Sequence, residues 1–96
     1  MIISIDYDDT FTADTIFWTP FVDMCIEDGH TVLCITSRFS TFENRREIEK
    51  AIGKCVPVIF ADHGFKEDAA KKAGYLVDIW IDDRPQCIRP LGENDL

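Results

Sequence analysis

Ile2-Ile3-Ser4-Ile5-Asp6-Tyr7-Asp8-Asp9-Thr10 is the stretch on which the reading of this chain turns. Four residues of nearly unbroken apolar character are too few for a buried helix and suit a strand covered on both faces. The run ends abruptly in three carboxylates and a hydroxyl. Three further runs repeat the form: Thr31 to Ile35, Val56 to Phe60 and Leu76 to Ile81. Pro57, near the start of the third, suits an edge strand, because proline cannot donate to a ladder.

Helical patterns fill the gaps. Thr19-Pro20 reads as an N-cap followed by proline at the first helical position, with a preliminary turn over Ile16 to Trp18. Phe21, Val22, Cys25 and Ile26 then recur at helical spacing, and Gly29 ends the segment. Ser40-Thr41-Phe42-Glu43 matches a capping box; Ile48, Ala51 and Ile52 give the stripe behind it, and Gly53 closes it. Lys66 to Ala73 is a short helix that turns Ala69, Ala70 and Ala73 inward and stops at Gly74. The tail from Arg84 reads as irregular, and Gly92 to Leu96 stays open between a loose end and a flap over the site. Alternation of this kind predicts a single α/β domain over residues 1–96, three-layered and Rossmann-like, with a minimal parallel sheet of about four strands. Ligands of such sheets bind beyond the carboxyl ends of the strands.

Composition narrows the function. The 96 residues are 46% hydrophobic, enough for one core. Eighteen acids stand against ten bases, a net charge of −8. That excludes a broad duplex nucleic-acid surface and adhesion to an anionic membrane. No run approaches a membrane span, and the N-terminus lacks the basic region of a signal peptide. Cys25, Cys34, Cys55 and Cys87 form no CxxC pair and read as reduced, buried thiols of a cytoplasmic protein.

The predicted strand ends gather the chemistry. The first supplies Asp6, Asp8 and Asp9; the second Thr36, Ser37 and Arg38; the third Asp62 and His63, with Lys66 opening the next helix; the fourth Asp82 and Asp83. Asp6, Asp8, Asp9, Asp82 and Asp83 thus place five of the chain's acids on one rim. Clustered carboxylates must be neutralised, and a hard divalent cation such as Mg²⁺ does this with oxygen ligands. A metal beside a lysine and hydroxyl donors is a receptor for a phosphoryl group. D-x-D-x-[TV] alone is a weak pattern. Its position after the first strand, with the three complements following in order, gives it weight.

In these residues the chain resembles the haloacid dehalogenase superfamily of phosphohydrolases. Asp6-Tyr7-Asp8-Asp9-Thr10 is similar to its first motif, Cys34 to Arg38 to its second, Lys66 to its third, and Ile79-Trp80-Ile81-Asp82-Asp83 to its fourth. Asp82-Asp83-Arg84-Pro85 also resembles the ending of deoxyribonucleotidases. The likeness implies strand order 3-2-1-4 and a Mg²⁺-dependent phosphatase acting through an aspartyl-phosphate. In it Asp6 is the nucleophile, Asp8 the acid/base, and Thr36 and Lys66 bind the phosphoryl group. Asp82 and Asp83 hold the metal with Asp6 and the backbone carbonyl of Asp8. Ser37 rivals Thr36, and Lys66 is preferred to Lys72 because it opens its helix at the rim. Ser37 and Arg38 are further candidates for substrate contact. Asp9 departs from the family, which often carries glycine there.

Neither connection has room for a cap domain, so a capless member is expected. Its open rim suits a nucleotide, a polynucleotide end or a phosphoprotein, unless a neighbouring subunit in a homo-oligomer covers it. Three alternatives stay open: a phosphotransferase, a receiver-like module with Asp62 as phosphoacceptor, and a catalytically silent phosphate-binding module. Phe17 and Trp18 read as core packing before a stacking surface.

Overall fold

Strands β1 (Ile2–Ile5), β2 (Thr31–Thr36), β3 (Val58–Phe60) and β4 (Ile79–Ile81) form one all-parallel sheet in the computed structural model, which describes residues 1–90. The order is β3-β2-β1-β4, as expected. Ile3 lies opposite both Val32 and Ile79, and Ile5 opposite Cys34 and Ile81. Helices α1 (Thr15–Glu27), α2 (Phe42–Ile52) and α3 (Lys66–Lys72) complete the layers. The reading of Gly92 to Leu96 lies outside the described residues.

Strand alternation divides the core in two. Ile3, Ile5, Val32 and Cys34 point to one face, where Val22 and Cys25 of α1 and Ile48 of α2 meet them. Leu33 and Ile35 point to the other and meet Ala70 of α3. Ile5, Leu33 and Ile35 are wholly buried, each worth roughly 1.5–3 kcal/mol. Pairing α1 and α2 against a lone α3 follows from the strand order. The chain runs β1 to β2 to β3 in one direction and returns on the opposite face to place β4 beside β1. The reversal leaves a crevice between the carboxyl ends of β1 and β4, where ligand sites of open sheets form.

Several local expectations shift. Helix α1 begins at Thr15, not after Thr19: Asp14 caps it by accepting from the Phe17 N–H at 3.1 Å, and Pro20 lies inside it. Pro20 removes one backbone donor, but the first turn is exposed, with Ile16 and Phe17 facing outward. The capping box is displaced by one residue. Thr41, not Ser40, accepts from the Asn44 N–H at 3.1 Å, while the Ser40 N–H goes to Asp62. Val56 is buried but precedes β3, and Leu76 precedes β4. Ala51 and Ala73 are exposed rather than inward. Only Cys25 and Cys34 are buried; Cys55 is exposed and Cys87 half-buried. No helix among the described residues is long and apolar enough to cross a membrane.

Candidate functional site

The chain leaves β1 through a wide turn over Tyr7–Phe11, closed by the Phe11 N–H on the Asp6 carbonyl (3.1 Å) and the Thr12 N–H on the Tyr7 carbonyl (3.0 Å). Buried Tyr7 and Phe11 anchor it in the core. Asp8 stays extended, whereas Asp9 takes a left-handed conformation at φ 62°. Few residues other than glycine adopt that region, and aspartate is among the more tolerant. The turn aims Asp6, Asp8 and Asp9 at one cavity of about 100 Å³, also lined by Ser37, Lys66, Asp82, Asp83, Arg84 and Cys87. A larger groove of about 630 Å³ lies at the other end of β1, among Met1, Ile3, Phe21 and Met24. It is mainly apolar, with Glu27, Asp28 and His30 also lining it, and holds none of the clustered carboxylates.

Lys66 is the centre of the inner part. Its side chain is 2% exposed, and its Nζ donates to Asp6 Oδ1 at 2.7 Å and to Asp82 Oδ2 at 2.6 Å. Burial is the strongest influence on Lys66 and draws its pKa down. The two carboxylates more than offset that and hold it above the ordinary lysine value. Burial pushes Asp6 up to about 6 in spite of Lys66, and nearby Asp83 and Asp82 push it the same way. Asp83 is held below the usual carboxylate range, first by its hydrogen bond with Asp6 and then by that with Thr10. The Thr10 hydroxyl lies 3.1 Å from Asp6 Oδ2 and 3.3 Å from Asp83 Oδ1. The other oxygen of Asp82, Oδ1, accepts from the Arg84 N–H at 2.9 Å.

Asp6, Asp82 and Asp83 each offer an oxygen within 4.8 Å of the others. Three carboxylates facing one ammonium leave negative charge unbalanced, and an all-oxygen donor set suits a hard divalent cation of the Mg²⁺ type. The residues therefore fit such an ion. The Asp8 carboxylate is not in this group. It is gripped by Arg38, whose Nε and Nη2 reach its two oxygens at 2.9 and 2.8 Å.

Other expected residues fall in different places. Thr36 is 1% exposed, and its hydroxyl accepts from the Arg38 N–H at 3.2 Å. Ser37 lines the cavity instead, because alternation along β2 sends it the same way as Leu33 and Ile35, toward α3. Lys72 lines a separate groove with Ile59, Phe60 and Asp62. Asp62, at φ 51°, also accepts from the Ser40 N–H and does not line the carboxylate cavity. His63 stacks edge-on against Phe39 at 4.6 Å. Trp18 packs on the core, while Phe17 is exposed. Cys34, pushed up to about 12 by burial, is an inert core thiol. Sequence reasoning gave no role to Thr10, Asn44 or Glu47. Thr10 closes the first motif and is legible there. Asn44 and Glu47 share a helical face at i, i+3, a pattern that does not name what the face meets.

No protein-family model, curated protein or solved structure matches this chain.

Proposed function

We propose that this chain is a Mg²⁺-dependent phosphohydrolase of the haloacid dehalogenase type, acting on phosphate monoesters such as a nucleotide or polynucleotide end. One observation carries the reading. Asp6, Asp82 and Asp83 converge within 4.8 Å, with the Lys66 ammonium 2.7 Å from Asp6. A buried carboxylate beside a fixed cation and a divalent-ion donor set is the equipment for attack on a phosphoryl group.

Asp6 is the nucleophile. One of its oxygens forms a bond to phosphorus as the bond to the leaving alkoxide breaks, giving an aspartyl-phosphate. Asp8, across the same cavity, donates a proton to the departing oxygen. It then takes one from the water that attacks phosphorus, releasing inorganic phosphate and restoring Asp6. Lys66 offsets charge on the phosphoryl group, and Ser37, which lines the cavity, donates a hydroxyl to it. Asp82 holds Lys66, and Asp83 has the freer carboxylate for a metal. When bound to Asp6, Asp82 and Asp83, Mg²⁺ supplies neutralisation and Lewis-acid polarisation of the phosphoryl oxygens. Two steps suit the task, because uncatalysed monoester hydrolysis is extremely slow, with enzymatic enhancements reaching about 10²¹.

p-Nitrophenyl phosphate with Mg²⁺ tests the assignment. The wild-type protein should release p-nitrophenol, and Asp6→Asn should not. Turnover that survives Asp6→Asn removes Asp6 as nucleophile. Absence of turnover across nucleotides, phosphorylated oligonucleotides and phosphopeptides would favour a silent phosphate-binding module.

A further inference from the structure

Arg38 has almost nothing left to offer a substrate. Its guanidinium carries five N–H donors. Nε and one Nη2 hydrogen form the two-pronged contact with Asp8, Nη2 also reaches Glu47 Oε2 at 3.0 Å, and Nη1 donates to Asn44 Oδ1 at 3.0 Å. One face lies over the Tyr7 ring, 5.3 Å from its centroid. Glu47 and Asn44 both belong to α2, and the Asn44 side-chain amide donates in turn to the Phe39 carbonyl at 3.0 Å. The fork that would grip a phosphate is already closed on Asp8.

We propose that Asn44 and Glu47 are positioning residues that set the Asp8 carboxylate through Arg38, and that Arg38 serves Asp8 rather than the substrate phosphate. The inference rests on the reading of Asp8 as acid and base. Its physical content is orientation. Asp8 is extended and half-exposed on a turn, with both carboxylate oxygens held by Arg38, and a proton donor must stand within hydrogen-bond reach of the leaving oxygen. A planar fork fixed from a helix selects one rotamer. A lysine in its place would bring charge without direction.

The roles separate in kinetics with p-nitrophenyl phosphate and Mg²⁺. Misplacement of a catalytic group by about 1 Å can cost about 100-fold, so Arg38→Ala should lower kcat by up to that factor with KM unchanged. Glu47→Ala and Asn44→Ala should lower kcat less, again without moving KM. Adding Glu47→Ala to Arg38→Ala should cost nothing more, because residues acting through one another are not additive. Arg38→Lys should remain as slow as Arg38→Ala, while Glu47→Gln, which keeps an acceptor, recovers part of the Glu47→Ala loss. Inhibition by inorganic phosphate should be the same in all variants.

A rise in KM and weaker phosphate inhibition in Arg38→Ala, with Glu47→Ala silent, would overturn the proposal and make Arg38 a phosphate ligand. A readout independent of turnover is the Arg38 Nε–H resonance. It should be sharp and slow to exchange in the wild type and broadened in Glu47→Ala. Free exchange in the wild type removes the clamp whatever the kinetics. A protein with a slow-exchanging Arg38 but no phosphatase activity would instead keep the clamp and sink the phosphohydrolase reading.

Discussion

Two cation-centred clusters share the rim, and they are built to opposite specifications. At the inner one, Lys66 joins Asp6 and Asp82 with side chains 2%, 8% and 3% exposed. At the outer one, Arg38 joins Asp8 and Glu47 with side chains 25%, 48% and 53% exposed. The two proposed catalytic acids, Asp6 and Asp8, are two residues apart in one turn yet belong to different clusters. Burial raises the cost of an unpaired charge, so the inner cluster couples chemistry to folding. Exposure screens the outer pair, so it can orient a side chain while adding little to stability. A nucleophile has to be fixed and desolvated, whereas an acid/base must reach both leaving group and water.

Lys66→Met should break the contrast most severely. It leaves Asp6 and Asp82 facing each other with no cation, and removing one partner of a buried ion pair costs about 3–5 kcal/mol. Urea unfolding at neutral pH without divalent ions measures the loss. A loss below about 1 kcal/mol would show that the inner cluster is no more demanding than a surface pair.

Mg²⁺ should act on the inner cluster alone. A ligand at 100 times its Kd stabilises the fold by about 2.7 kcal/mol, read as a rise in Tm that Asp83→Asn reduces and Arg38→Ala leaves intact. The pH sense follows from Asp6. Its folded pKa, about 6, is raised from 3.8, so the metal-free fold loses stability as pH rises through that window. Asp83, shifted the other way, partly offsets this. Protons compete with the metal below about pH 6, so the Mg²⁺ effect should be full at pH 7.5 and shrink toward pH 5. An effect that grows on acidification would contradict the assignment of Asp6 as a ligand.

How much of this was legible in the sequence divides along the same line. The inner cluster was readable, because each member follows directly from an apolar strand or opens a helix at the rim. Its place at the start of α3 favours Lys66 over Lys72, and it is Lys66 that lies between Asp6 and Asp82. The parallel sheet and both helical layers follow from β-α alternation, whereas the strand order follows from the resemblance. The outer cluster was half hidden: Asp8 and Arg38 stood in motifs, but Asn44 and Glu47 depend on how α2 docks, which no local pattern encodes. The start of α1 is hidden because Thr19-Pro20 offers a strong stop-and-start signal, while the cap that operates is Asp14. The resemblance favours Thr36 over Ser37, although parity along β2 brings Ser37 into the cavity.

Arg38→Ala is the counterpart of the lysine variant and should have a smaller effect on stability. Exposed pairs contribute about 0.2–1 kcal/mol, with two-pronged contacts at the upper end. The expected loss in urea is therefore at most about 1 kcal/mol, against the large fall in kcat argued above. A loss of 3 kcal/mol or more would mean that the outer cluster holds α2 on the sheet, and the contrast between the two would collapse.

The finest test is Asp9, which lines the same cavity as Asp6 and Asp8. It sits at φ 62°, where an L side chain is strained and glycine is not. Its N–H is bonded to the Thr12 hydroxyl at 3.0 Å, a contact that glycine keeps. Relief of left-handed strain favours Asp9→Gly, and the greater freedom of glycine in the unfolded chain opposes it by roughly 0.5–1 kcal/mol. The two effects nearly cancel, so stability should change by no more than about 0.5 kcal/mol. A larger loss would mean that the Asp9 carboxylate, not the turn, keeps the inner and outer acids apart. In that case the Mg²⁺ shift in Tm should change with it. If the turn alone separates them, that shift stays at its wild-type size.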